Sequence, residues 1–276
     1  MKFIKFNLFT VMFLMLFMSC SQTNSKEQET VKQGSNDNTL IVSKETMAKT
    51  KEWANLFNGN NLDGWEVKAV KEDQQYNFWS VKDGAIVVNS LGNKNHDYSW
   101  LITKKEYANF ELKLKFQTYR ESPGNSGIQI RSRYDNNGQV EGSNLVGWLD
   151  GPQIDINPSD PWRTGFIYDE TRGHQRWIYP DLPDYKIDKA TFAPKDIRHF
   201  YADETPYWND LVIICKDNHI TTIVNNIIVA DYDGTGVLDD IWHQKRGIDK
   251  SGFIALQLHM KDELKMAFKN ITIKEL

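Results

Sequence analysis

The strongest constraint on what this chain can fold into is the strict alternation of residues 110–116. Phe110, Leu112, Leu114 and Phe116 are apolar, and Glu111, Lys113 and Lys115 are charged. A period of two sends these two classes to opposite faces of a strand, one buried and one wet. Short runs of the same kind recur along the chain with turn residues between them. Phe78 to Val81 and Ala85 to Val88 flank Lys82-Asp83-Gly84, and Ile220 to Val224 and Ile227 to Ala230 flank Asn225-Asn226; both spacings are those of tight hairpins. Leu211 to Cys215, Phe253 to Leu258 and Met266 to Ile273 are further strand-like runs, and Ile128 and Ile130 follow a turn rich in Gly, Asn and Ser. Helical periodicity is nearly missing; residues 194–201 are expected to form one short helix. Many short antiparallel strands without helices to cover them predict an all-β, two-sheet sandwich.

The chain has 276 residues, a length that suits one large β domain, since sandwiches of roughly 200–250 residues commonly form a single unit. A domain of that size buries about three quarters of its unfolded surface and needs no disulfide staples. Its formal net charge of -4 argues against a nucleic-acid partner, because such partners select basic domains.

The two ends of the chain differ in kind. Lys2 and Lys5 precede an apolar run from Leu8 to Met18 that ends in Ser19-Cys20. The run is shorter than the ~20 apolar residues a membrane span needs. Residues 1–19 therefore read as a signal peptide. A small residue before Cys resembles a bacterial lipobox, with Cys20 as the lipidated first residue of the mature chain and Phe17-Met18 departing from the usual Leu-Ala/Ser. Residues 20–51 are polar and aperiodic, and are expected to form a flexible tether behind this lipid anchor in the cell envelope. Residues 52–276 form the domain. Of the two cysteines, Cys215 lies in a strand and reads as a buried structural thiol.

Unusual residues concentrate between Asn125 and Trp177. Gln129 and Arg131 are two apart, as are Gln153 and Asp155, so each pair is expected on one strand face. Amides, guanidinium and carboxylate on a common face make a poor core but match sugar hydroxyls well. Nine Trp are present, and Trp148, Trp162 and Trp177 with Tyr168 accompany this face, apolar rings beside hydrogen-bonding groups being the composition of a pocket.

Several motifs in order resemble the bacterial 3-keto-disaccharide hydrolase family, also described as 3-keto-glucoside 1,2-lyase and 3-keto-2-hydroxyglucal hydratase domains. They are Trp53-Ala54-Asn55-Leu56-Phe57-Asn58-Gly59 with Leu62-Asp63-Gly64-Trp65, Asn125-Ser126-Gly127-Ile128-Gln129-Ile130-Arg131, and Gln153-Ile154-Asp155-Ile156. Tyr168-Asp169-Glu170 with Arg172, Tyr207-Trp208-Asn209-Asp210, and Gly252-Phe253-Ile254-Ala255-Leu256-Gln257-Leu258-His259 with Phe268-Lys269-Asn270-Ile271 complete the set. Two departures stand out. Met260-Lys261 follows His259 where the family often has a Gly, and Asn225-Asn226 replaces the common Asn-Gly. The resemblance implies a jelly-roll sandwich of the concanavalin A/laminarinase-like type acting on 3-keto-glucosides or 3-keto-disaccharides. A ketone at C3 acidifies the C2 proton; a base removes it, an enolate forms, and the C1 substituent leaves, with water able to add back. On this expectation Asp155 or Glu170 is the base, His259 a second proton carrier and Arg131 the enolate stabiliser. Gln129, Gln153, Tyr168, Arg172, Trp148 and Trp162 bind substrate. Asp155, Glu170 and His259 could instead gather a divalent metal. The Glu-x-Asp-x-x-Glu strand of retaining laminarinase-like enzymes is not found in the sequence, which disfavours a conventional endo-glycosidase. A non-catalytic glycan-binding module and a structural envelope lipoprotein remain alternatives, since fold does not fix function.

Overall fold

A computed structural model describes residues 51–276 apart from 123, 140–143, 158–160, 183 and 188–190. The expected signal peptide, Cys20 and nearly all of the expected tether lie outside the described residues. The strands are, in chain order, β1 (Ala54–Asn55), β2 (Trp65–Ala69), β3 (Trp79–Lys82) and β4 (Ala85–Asn89). Then come β5 (Ser99–Thr103), β6 (Phe110–Thr118), β7 (Ser126–Asp135) and β8 (Trp148–Asp150). The series continues with β9 (Pro152–Ile156), β10 (Ile167–Asp169), β11 (Arg176–Tyr179) and β12 (Asn209–Lys216). It ends with β13 (His219–Val224), β14 (Ile227–Asp233), β15 (Phe253–Leu258) and β16 (Lys265–Glu275).

They form two antiparallel sheets. The first runs β14-β13-β12-β6-β16-β4-β3, with β1 added beside β16; the second runs β11-β10-β9-β7-β15-β5-β2, with β8 added beside β7. The core lies between them. Leu112, Leu114 and Phe116 of β6 and Leu211 and Ile213 of β12 meet Ile128 and Ile130 of β7, Ile154 and Ile156 of β9, and Ile254, Leu256 and Leu258 of β15. The expected all-β sandwich is thus the observed fold. Both two-residue hairpins form, with φ of 52° at Asp83 and of 47° and 68° at Asn225 and Asn226, the left-handed geometry that these residue types tolerate. Cys215 is fully buried, and burial pushes its thiol up to about 11.

Residues 194–201 do not form the expected helix. Asp196 adopts φ of 65°, and Asn209 engages the backbone of Phe200 through both ends of its amide, at 2.9 and 2.7 Å. Tyr201 is drawn into a bridge with Thr118. The only α-helix among the described residues is α1 (Ile241–Lys245), capped by the Asp240 carboxylate, which accepts from the backbone N–H of Trp242 and His243.

The alternation of β7 breaks at Arg131. Phe253 pairs with Ser132, but Ala255 pairs with Gln129, so β7 carries one extra residue, and Arg131 takes φ of 49° there. The bulge turns its side chain away from Gln129. Its Nε donates to the Ala108 carbonyl at 2.9 Å, one terminal nitrogen to Asn109 Oδ1 at 2.7 Å, and the other to the Asp217 carbonyl. Arg131 therefore ties loops at one end of the sandwich and does not join Gln129. Replacing it leaves several acceptors without donors. Arg131→Ala is expected to lower stability by about 2 kcal/mol, read from the urea unfolding midpoint, because hydrogen bonds from a charged donor are worth about that much.

Candidate active site

Strand alternation that sends isoleucines inward sends polar side chains to the outer face of the second sheet. One row across it is Ile102, Ala255, Gln129, Gln153 and Tyr168; the next contains Trp100 beside Gln257, and Gly127 beside Asp155. This face is not solvated. Trp148 and Leu149 of β8 pack with Trp100, Ile102 and Ala255 into a second, smaller core, leaving Asp155 2%, Glu170 5% and Gln257 0% exposed. Gly127 makes room in the middle: a Cβ there would lie 2.5 Å from Gln153 Cδ. The Gln153 amide thus crosses the glycine and donates to Asp155 Oδ1 at 3.4 Å.

His259, just after β15, holds the centre of the hydrogen-bond network. Its Nδ1 lies 3.0 Å from the Met260 carbonyl, which only accepts, and 3.4 Å from Asp262 Oδ2. Nδ1 therefore carries a hydrogen, and in the neutral ring Nε2 is free to accept from the Tyr98 hydroxyl at 3.2 Å. Glu170 accepts from Gln257 Nε2 at 3.3 Å and from the Gln175 side chain, while its backbone carbonyl accepts from Trp148 Nε1 at 2.9 Å. Tyr98 stands against this cluster, its ring 5.0 Å from that of His259 and 4.9 Å from that of Trp148.

Burial sets the charges. Desolvation pushes Asp155 from the usual 3.8 up to about 7, with Glu170 adding to the rise and Arg163 and His259 opposing it. Glu170 is raised by burial against the pull of His259. For His259 burial works against the charged ring, but the Asp262 hydrogen bond and the carboxylates of Asp262, Glu170 and Asp155 outweigh it and raise its proton affinity. Two carboxyls and one imidazole thus influence one another in a site of low dielectric, the setting in which acid–base catalysts are tuned.

Four buried acceptors on this face, Gln129 Oε1, Gln153 Oε1, Gln257 Oε1 and Asp155 Oδ2, meet no hydrogen-bond donor among the described residues. Buried acceptors left so are expensive in a finished core and natural where hydroxyls of a ligand complete them.

The sequence profile of the 3-keto-alpha-glucoside-1,2-lyase-like domain matches residues 52–274. The chain belongs to this family. Two solved structures of candidate glycosyl hydrolases from Parabacteroides distasonis share the fold. One is 22% identical with a TM-score of 0.50, covering 81% of this chain and 94% of its own. The other is 24% identical with a TM-score of 0.50, covering 82% and 100%. Comparison with curated proteins gives no match.

In this lyase-like domain the sequence-derived residues divide. Asp155, Glu170, His259, Gln129, Gln153, Tyr168 and Trp148 come together on or beside the outer face. Arg131, Arg172 and Trp162 do not join them. Arg172 clasps Asp150 through Nε at 2.9 and 3.0 Å and reaches Asp135 at 2.9 Å, fixing β8 to the end of β7 without pairing to Glu170. Trp162 belongs to the inter-sheet core, its Nε1 donating to the Thr164 carbonyl at 2.8 Å and its ring 5.7 Å from that of buried His199. Both nitrogens of His259 lie against protein groups, and among the described residues no cluster of three or more His, Cys, Asp or Glu side chains is placed to hold a metal ion.

Sequence reasoning passed over Tyr98, Gln257, Asp262, Gln175 and Arg163. Gln257 was within reach, since it lies two residues before His259 and between Ala255 and that histidine on one face. The others come from loops and strand ends that carry no periodic signal.

The raised Asp155 proton affinity has a measurable sign. Its carboxyl binds a proton more tightly folded than unfolded, so its contribution to stability is complete below 3.8 and is lost as pH rises through about 7. Asp155→Asn, which keeps the neutral shape, is expected to match the parent in acid and to exceed it by about 2–4 kcal/mol at about pH 9, read from denaturant midpoints.

Proposed function

We propose that this domain cleaves 3-keto-glucosides at C1 by elimination, with water adding back in a second step to give net hydrolysis. What supports the reading is a buried carboxyl of near-neutral proton affinity, Asp155, set beside a tautomer-fixed imidazole on a face of unmet hydrogen-bond acceptors. The sugar would approach at the partly exposed edge of the site, past His259 and Tyr98, while Gln129, Gln153 and Gln257 stay behind it as the buried backing of the carboxyls. Asp155, whose Oδ2 faces Arg163 Nε at 3.7 Å without a hydrogen bond, takes the C2 proton. The C2–H electron pair moves to O3 as an enolate, returns to form the C1–C2 double bond, and expels the C1 substituent with its bonding electrons. The departing oxygen takes a proton from the protonated His259 ring and leaves as an alcohol.

With Arg131 committed elsewhere, the charge on O3 falls to the Tyr98 hydroxyl and the His259 ring. The positive ring that Asp262 favours stabilises an oxyanion, and Tyr98, whose own ionisation is suppressed by burial and by Glu170, stays a donor. Glu170 favours the charged form of the imidazole and is the alternative base. Standard glycosidase chemistry is not required of this pair, because the proton removed is on carbon.

The decisive measurement is turnover of a 3-keto-α-glucoside by purified domain, with and without chelator. Asp155→Asn is expected to lose at least about 10²-fold in kcat, as removal of a general base does, and His259→Ala about as much. Glu170→Gln, keeping the hydrogen bonds but not the charge, is expected to lose less and to lower the apparent affinity of His259 for its proton in the pH profile. Full activity of both Asp155→Asn and Glu170→Gln would remove the assignment, and binding of intact glycans without any product would favour a binding module. Product released from unoxidised polysaccharide would favour a conventional glycosidase.

The domain is further proposed to work from a lipid anchor at Cys20 in the cell envelope. Cys20→Ser is expected to move the protein from the membrane to the soluble fraction on cell fractionation.

A further inference from the structure

Beside the carboxyls and His259 opens a pocket of about 160 Å³, lined chiefly by Val70, Tyr98, Leu145, Trp148, Gln175 and Met260. Four of these touch the reacting groups directly. Tyr98 bonds His259, Met260 lends His259 its carbonyl, and Gln175 and Trp148 bond the side chain and the carbonyl of Glu170. The pocket therefore abuts the residues that hold His259 and Glu170, on the flank where Tyr98 stands.

Its chemistry differs sharply from that of the strand face. The face is rich in unmet acceptors; the pocket wall is carbon, with its polar atoms already engaged. The Trp148 N–H is committed to Glu170, the Tyr98 hydroxyl to His259, and Gln175 to Glu170, so at most the spare capacity of one amide remains for an incoming group. A second hexose placed here would bury several hydroxyls without partners, each at a cost of about 1–3 kcal/mol. A cavity of about 150 Å³ lined by apolar side chains is known to hold a benzene ring, and this one has that size.

We infer that the pocket receives the leaving group, and that the leaving group it selects is a single apolar ring. The substrate class would then be 3-keto-glucosides of an aromatic or alicyclic alcohol, in preference to 3-keto-disaccharides. The inference rests on the elimination reading above for the identity of the reacting sugar. The oxidised glucose lies at the open edge of the site against His259 and Tyr98; the apolar pocket holds what departs from C1. Expulsion of the alcohol needs no hydrogen bond from the pocket wall, since the proton it takes comes from the His259 side.

The test compares methyl 3-keto-α-glucoside, benzyl 3-keto-α-glucoside and 3-keto-trehalose. Methanol and benzyl alcohol are alike in acidity, so a benzyl preference over methyl does not come from the leaving group's acidity, and the more acidic anomeric hydroxyl released from 3-keto-trehalose works against the expected order. The expected result is a kcat/KM for the benzyl compound at least about tenfold above the other two, the advantage of burying one ring. Val70→Phe, or Leu145→Phe should that variant not fold, fills the pocket and is expected to bring the benzyl-to-methyl ratio towards one. Equal or better turnover of 3-keto-trehalose, or a benzyl preference untouched by both fillings, would overturn the inference while leaving the elimination intact. If no 3-keto-glucoside is turned over, the elimination reading fails by itself. Calorimetry with unoxidised benzyl α-glucoside, methyl α-glucoside and trehalose then decides the pocket. Preferential binding of the benzyl compound supports it, and equal binding or none overturns it.

Discussion

Everything in this molecule that bears on chemistry follows from burying ionisable and amide side chains on the face of a sheet that would ordinarily meet water. Antiparallel sheets commonly leave their outer face solvated. Here β8 covers part of that face, and a satellite core of Trp100, Ile102, Trp148, Leu149 and Ala255 excludes solvent from it. Desolvation is accordingly the leading influence on Asp155, Glu170 and Tyr98, and each is pushed towards its neutral form. His259 resists the same pressure only because Asp262 and the two carboxyls oppose it.

That cover is held by one contact inside the site and by others away from the reacting atoms. The Arg172 guanidinium on Asp150 and Asp135 fixes β8 to the end of β7, and the Trp148 N–H on the Glu170 carbonyl fixes the indole over the acid. The bulge at Arg131 allows β7 and β15 to stay paired on both sides of one extra residue, with the backbone of Gly252 so near that a Cβ there would lie 2.3 Å from the Arg131 carbonyl carbon. These contacts look like substrate-binding chemistry when read as residue types. They are framework, and their role is to keep a dry site dry.

The division between an acceptor-rich strand face and a carbon-lined pocket gives the site two chemical environments separated by the Tyr98–His259 pair. A sugar ring and an apolar substituent have matching preferences, and the bond joining them would fall beside the imidazole. Such an arrangement favours a reaction in which charge develops on one side and a neutral group departs on the other. The aromatic residues beside the site serve as walls, Tyr98 packing edge to face on Trp148 at 79° and flat against Trp100 at 7°.

The sequence by itself determined the strands, the two-residue hairpins, the inward isoleucines and the outward Gln129, Gln153 and Asp155, because a period of two is a local property of the backbone. It determined the family too, through motifs that stand in order along the chain. The placement of Arg131 was beyond it, since one extra residue in β7 reverses a side chain without any mark in composition. So were the pairing of Arg172 with Asp150 and the inward position of Trp162, because salt-bridge partners and burial depend on which strands become neighbours. Only the tertiary structure brought Tyr98 against His259 and set the Asp155 carboxyl near neutrality, whereas Asp262 reaches His259 from three residues on. Proton affinity is fixed by the dielectric and the charges surrounding a group, and for Asp155 these come both from nearby Arg163 and Glu170 and from His259 on a distant segment.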